Sequence, residues 1–199
     1  MLDLYVAPLY SGEMSDELIP RERHLEVISV ASERVRREKY SVWKLLAHAL
    51  KASLGMSVED AALRKDENGK WHSPHCYLSL THGAGTVAVA LSDSPVGVDA
   101  EGDVTPRSSS FATRIMTERE HARYLSLDES ERTAFLTECW TRKESIFKMR
   151  DDAHFIPSEC DTSDSETVTK RISLDGSLVT VSVASDRCDE LTVYVLEKI

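Results

Sequence analysis

Three short runs of apolar and β-branched residues, Cys76–Leu80, Thr86–Leu91 and Val96–Glu101, stand between turn signals at Gly83-Ala84-Gly85 and Ser92-Asp93-Ser94-Pro95. Runs of that length and spacing read as antiparallel strands. Leu2–Leu9 reads as another strand, as do Leu178–Ala184 and Leu191–Glu197, the last two joined by a polar hairpin. Helical spacing starts near Pro20 with Leu25, Ile28 and Val35, and a second helix runs from Val42 to Leu54 with Gly55 as its stop. Further helices are expected around Glu118–Leu127 and Glu131–Met149, and Asp66-Glu67-Asn68-Gly69-Lys70 reads as a turn. Helices and antiparallel strands therefore occur twice over, an α+β class. Two halves are expected, 1–102 and 103–199, with Asp103–Ser110 as the connection.

A length of 199 residues suffices for a hydrophobic core. With 41% apolar and 29% charged residues, disordered and low-complexity classes are excluded. No stretch reaches the roughly 20 apolar residues of a membrane helix, and Met1-Leu2-Asp3-Leu4 has no secretory pattern, so a cytoplasmic address without membrane contact is expected. The four scattered cysteines read as free thiols. A net charge of −10 argues against a nucleic-acid partner. Yet residues 21–51 hold eight Lys/Arg against four Glu, a local +4 that could receive an anion or be only a solvated helix face.

Three motifs can carry chemistry. In Val96-Gly97-Val98-Asp99-Ala100-Glu101, a strand places Asp99 and Glu101 on one face, where two carboxylates suit Mg²⁺ or are simply a solvated strand end. In the helix Cys139–Lys148, Leu136, Trp140 and Phe147 share a stripe with Glu144, which puts that carboxylate at risk of burial. Lys148, one turn on, can pair with Glu144 or reach a phosphate. In Leu80-Thr81-His82-Gly83-Ala84-Gly85 a strand runs into a small loop able to hold a phosphate, although a lone His is more often structural. His72, His75 and Cys76 lack the ligand set of a zinc site.

Taken in order, Gly69-Lys70, Thr81-His82, Gly97-Val98-Asp99-Ala100-Glu101 and Trp140-Thr141-Arg142-Lys143-Glu144-Ser145-Ile146-Phe147-Lys148 resemble the 4′-phosphopantetheinyl transferase superfamily in its longer, surfactin-synthetase-activating type. The resemblance spans about residues 40–150. It implies a monomeric pseudo-twofold pair of similar α+β halves with the active site between them. It implies Mg²⁺-dependent transfer of 4′-phosphopantetheine from coenzyme A to a serine of an apo acyl or peptidyl carrier protein, with release of adenosine 3′,5′-bisphosphate. Carried across, Asp99, Glu101 and Glu144 hold the metal, Glu144 is the base, and Lys148 binds phosphate. Thr81 and His82 meet the 3′-phosphate side of coenzyme A, and Lys44 and Lys70 add positive charge around the nucleotide. Glu120 matches a further acidic position supporting metal or carrier-protein binding. Gly83 stands where a second Ser is common, Trp71 where Pro is, and Met149-Arg150 where glycine is frequent. A non-catalytic binder of coenzyme A or carrier protein is the alternative, and a metal-dependent phosphohydrolase a third reading.

Overall fold

A computed structural model describes residues 1–14, 24, 27–105, 110–151, 154–162 and 166–199. Strand β1 (Leu2–Pro8) is followed by α1 (Glu33–Leu54), the short hairpin β2 (Arg64–Lys65) and β3 (Trp71–His72), then β4 (Tyr77–Gly83), β5 (Thr86–Ser92) and β6 (Val96–Glu101). Helices α2 (Phe111–Ile115), α3 (Glu118–Ser126) and α4 (Glu129–Arg150) come next, then β7 (Thr167–Leu174), β8 (Ser177–Ser185) and β9 (Leu191–Val195). The α+β expectation is borne out. Among the described residues one sheet has the order β4-β5-β1-β9 and another β6-β8-β7. All their pairings are antiparallel except β1 with β9.

Alternation along the strands builds the layers. Leu2, Leu4 and Val6 of β1 meet Val98 and Ala100 of β6 and Val179, Val181 and Val183 of β8 in a core between the two sheets. Tyr5 and Ala7, the intervening residues of β1, face the other way and pack with Trp43, Leu46 and Leu50 of α1. On the far side, α4 lies against β6 and β8, with Thr141 bonded to Ser182 at 2.7 Å. The order is helix, sheet, sheet, helix, and each covering helix has 22 residues.

Several expectations change. Helix α1 begins at Glu33 rather than Val42, because the Ser32 side chain caps it by accepting from Val35 N–H, and Gly55 ends it at φ 68°. Val35 thus belongs to α1. The expected start at Pro20, with Leu25, lies outside the described residues, as does 106–109 of the proposed connection. Strand β7 was not expected, and β8 does not form a hairpin with β9: it pairs with β6 and β7, while β9 joins the other sheet beside β1. Strand β6 lies in the sheet of the C-terminal strands, so sheet membership does not divide at residue 102. The Gly83–Gly85 segment is a two-residue hairpin turn between β4 and β5. Ala84 at φ 50° and Gly85 at φ 76° have the positive dihedrals that such a turn demands.

Candidate active site

The site lies where β4, the edge of one sheet, runs beside β6, the edge of the other. Val98 N–H, on that edge, donates to Ser79 Oγ at 3.0 Å. Two glycines permit this approach. A Cβ on Gly83 would collide with the Ala100 carbonyl oxygen. This leaves no room for the serine that the resemblance suggested at that position. A Cβ on Gly97 would collide with the Ser145 carbonyl oxygen and lie 2.6 Å from Met149 N, so β6 rests directly on the backbone of α4. The helix meets the sheet through its small residues Thr137, Thr141 and Ser145, all fully buried.

That contact brings Lys148 onto β6. Its ammonium donates to Asp99 Oδ1 at 2.7 Å, to the Val98 carbonyl at 3.2 Å and to Thr81 Oγ1 at 3.3 Å. The Thr81 hydroxyl in turn donates to Asp99 Oδ1 at 3.0 Å. Asp99 is only 4% exposed, and its second oxygen, Oδ2, is buried with no hydrogen-bond partner among the described residues. A buried carboxylate oxygen in that state is costly unless something positive meets it. Glu101 and Glu144 stand within electrostatic range. Burial pushes the Glu101 carboxyl up to about 7, helped by the charges of Asp99 and Glu144 and opposed by Lys148. Glu144 is raised by burial and by Asp99, again against Lys148.

A single divalent cation fits the chemistry of this donor set: three oxygen donors, one with an orphaned buried oxygen, two pushed toward their neutral forms chiefly by burial. The three are not yet gathered as an ion would hold them. Among the described residues, the group whose ligand atoms all lie within 4.8 Å of one another is Asp66, His72 and Asp151. His72 lies 2.7 Å from Asp66 and holds its carboxyl below the ordinary value.

The remaining expected residues fall as follows. Lys70 donates to the Lys148 carbonyl at 2.8 Å and pairs with Asp151 at 3.4 Å, tying the β2–β3 hairpin to the end of α4. With Trp71, Ser79, Phe147 and Lys148 it lines a cavity of about 320 Å³. A second cavity, about 520 Å³, is lined by Glu101, Asp103, Phe111 and Trp140. A third, about 590 Å³, shares Lys70, Trp71, Leu78 and Asp151 with the first, and Asp99, Glu101 and Glu144 line neither of these two. His82 lies on β4 with Nδ1 3.7 Å from Glu38 Oε2. Lys44 lines none of these cavities, and its ammonium sits 4.2 Å from the centre of the Tyr10 ring. Arg21 and Arg23 of the basic segment lie outside the described residues. Arg37 is engaged by the carbonyls of Tyr10 and Gly12.

Two expectations are corrected. The stripe Leu136–Trp140–Glu144–Phe147 is not the buried face as a whole. Trp140, Glu144 and Phe147 are half-buried at the cleft, while Leu136, Cys139, Lys143 and Ile146 are buried. Glu120 is not directed at metal or carrier protein. Its carboxylate pairs with fully buried Lys143 at 2.7 Å, and accepts from Thr117 N–H at 2.8 Å and Thr162 Oγ1 at 2.7 Å. Lys143 and Glu38 were missed as buried charges, because helical periodicity alone does not identify the neighbour that pairs with a charge.

Residues 95–185 match the 4′-phosphopantetheinyl transferase superfamily. A curated 4′-phosphopantetheinyl transferase, psf-1 of Bacillus pumilus, is 26% identical over 108 residues, 53% of this chain and 46% of that protein. The chain therefore matches about half the length of that relative. The superfamily resemblance read from the sequence is borne out by both findings, and the matched segment contains Asp99, Glu101, Glu144 and Lys148.

Proposed function

We propose, with the 4′-phosphopantetheinyl transferase superfamily as premise, that this chain transfers 4′-phosphopantetheine from coenzyme A to a serine of an apo acyl or peptidyl carrier protein with Mg²⁺. The observation that carries the reading is the meeting of Asp99, Glu101, Glu144 and Lys148 where β6 rests on α4, with Asp99 Oδ2 buried and orphaned. Asp99, Glu101 and Glu144 are the residues to hold the ion, which when bound offsets the charge of the diphosphate. Lys148 and Thr81 grip one oxygen of Asp99 and so orient the other. Lys148 also presents an ammonium to charge developing at the reacting phosphorus.

Glu144, raised by burial, is the base. The serine oxygen forms a bond to the phosphorus that carries pantetheine, and its proton passes to Glu144. The bond from that phosphorus to the bridging oxygen breaks, and adenosine 3′,5′-bisphosphate leaves with the electron pair. Two cavities suit two large substrates: the one beside Lys70 and Lys148 suits the nucleotide, the one beside Glu101 and Trp140 the acceptor. Lys70, Lys44, Thr81 and His82 are assigned to coenzyme A.

The test is incubation with coenzyme A, Mg²⁺ and an apo carrier protein, followed by mass spectrometry of the carrier. A gain equal to phosphopantetheine is expected. An unchanged carrier across several acyl and peptidyl carrier proteins, with coenzyme A intact, overturns the reading.

A further inference from the structure

Side chains alternate along β4, and Leu78 and Leu80 belong to the core beneath α1. Thr81 therefore turns the other way, toward β6. It is 7% exposed, and its hydroxyl is engaged twice. Oγ1 donates to Asp99 Oδ1 at 3.0 Å and accepts from the Lys148 ammonium at 3.3 Å. A hydroxyl carries one proton and two lone pairs, and an ionised carboxylate only accepts. The single proton of Thr81 is thus already given to Asp99. A phosphate needs donors as well, and this hydroxyl has no second proton to offer.

Asp99 is in the complementary state. Oδ1 accepts from Thr81 and from Lys148, whereas Oδ2 is buried with no hydrogen-bond partner among the described residues. The terminal torsion of an aspartate is broad and two-fold, so one anchored oxygen is what keeps the other in place. Lys148 is the looser anchor, a point charge on a flexible stem that also reaches the Val98 carbonyl at 3.2 Å. Thr81 is β-branched, stiff at χ1 and fixed in a strand paired with β5, so it supplies direction. We propose that Thr81 is the positioning residue for Asp99, holding Oδ1 so that Oδ2 is offered to the divalent ion, and that coenzyme A takes no hydrogen bond from it. The inference rests on the reading that Asp99 holds the ion. It moves the Thr81 hydroxyl from the groups assigned to coenzyme A to those that serve the metal. Groups that orient a metal ligand typically change metal affinity by about 10–100-fold.

The experiment titrates Mn²⁺ into the protein without coenzyme A or carrier and follows the free ion by electron paramagnetic resonance. It compares wild type, Thr81→Val, Thr81→Ser, Asp99→Asn and the double variant of Thr81→Val with Asp99→Asn. Valine keeps the shape and removes the hydroxyl, whereas serine keeps the hydroxyl and removes a methyl. Thr81→Val is expected to weaken Mn²⁺ by about tenfold, Thr81→Ser to retain most of the affinity, and Thr81→Val to add nothing in the Asp99→Asn background. In metal-free buffer, calorimetry with coenzyme A and its 3′-dephospho form is expected to give Thr81→Val the same ratio of affinities as wild type. Unchanged Mn²⁺ affinity in Thr81→Val, or equal weakening by serine and valine, overturns the inference. So does a lowered ratio in Thr81→Val, because the hydroxyl then serves the 3′-phosphate. A wild type that binds no Mn²⁺ overturns it together with the metal reading. The expected Mn²⁺ results in a protein that does not modify a carrier strike the transfer reading alone.

Discussion

Replacing Lys143 by Met tests the most deeply buried charge in the described structure. Lys143 is wholly inaccessible and its ammonium reaches Glu120 at 2.7 Å, the Pro157 carbonyl at 2.8 Å and the Cys160 carbonyl. Methionine fills most of the volume, so the cost comes from charge rather than from a cavity. Glu120 is left buried without its counter-ion, which typically costs about 3–5 kcal/mol. For a chain of this size each kcal/mol lowers Tm by about 2–4 °C, so a drop of about 6–20 °C is expected. Urea unfolding should show the midpoint falling with an unchanged m-value. Lys143→Met combined with Glu120→Gln should recover part of the loss, because removing both charges ends the unpaired state.

Acid supplies a second check on the same pair. Burial pushes the Glu120 carboxyl up, but Lys143, Thr117 N–H and Thr162 outweigh it, and the net direction is below 4.5. A carboxyl lowered in the folded state contributes stability above its unfolded value, and that stability is lost as pH falls through the folded value. The penalty of Lys143→Met should therefore shrink as pH falls below about 4.5. A loss under about 1 kcal/mol at neutral pH, or a double variant as unstable as the sum of the singles, refutes the buried-pair reasoning.

Three further outcomes are expected. Glu144→Gln should lower kcat by about 10²-fold or more as base and metal ligand are lost together, and near wild-type turnover would remove Glu144 from both roles. Glu101, pushed up to about 7, keeps more protons folded than unfolded between about 4.5 and 7. Stability in metal-free buffer should therefore fall as pH rises through that window, by at most about 3 kcal/mol and less after solvent screening. Glu101→Gln should flatten the slope, and the same slope in that variant counts against the assignment. Gly97→Ala should cost about 1–3 kcal/mol and depress transfer together with it, since its Cβ meets the Ser145 carbonyl, and wild-type stability and turnover would show that the close approach is dispensable.

Local order was legible where a segment carries its own boundary. Strand β6 coincides with Val96–Glu101 because Pro95 and Gly102 bracket an isolated apolar run. The parity that puts Asp99 opposite Val98 and Ala100 follows from the pleat. Strand β7 had a signal that went unread: Val168, Ile172 and Leu174 share one parity, and Asp175-Gly176 is a hairpin turn with φ 46° and 76°. The destination of β9 had none. Nothing local distinguishes a return beside β8 from a parallel place beside β1, because a partner strand is chosen by the whole core. Helix α4 misled for a related reason. Helical spacing grouped Trp140, Glu144 and Phe147, but the sheet-facing side is marked by small residues, Thr137, Thr141 and Ser145, rather than by large apolar ones.

That choice of small residues connects fold to site. Only a helix stripped of bulk on one side, against a strand with Gly97, lets the backbones of α4 and β6 touch, and only that contact carries Lys148 to Asp99. Asp99 Oδ1 is then gripped from two directions, by Lys148 of the helix packed on one sheet and by Thr81 of the edge strand of the other. The strands are also interleaved, with β6 in the sheet of β7 and β8, and β9 returning to the sheet of β1. The sheet β4-β5-β1-β9 therefore draws its strands from both ends of the chain. The four charged residues of the site thus come together only when both sheets are closed and the sheet edges meet. A chain with α4 lifted from β6 would retain most of its apolar core between the sheets and yet have no place where Lys148 reaches Asp99.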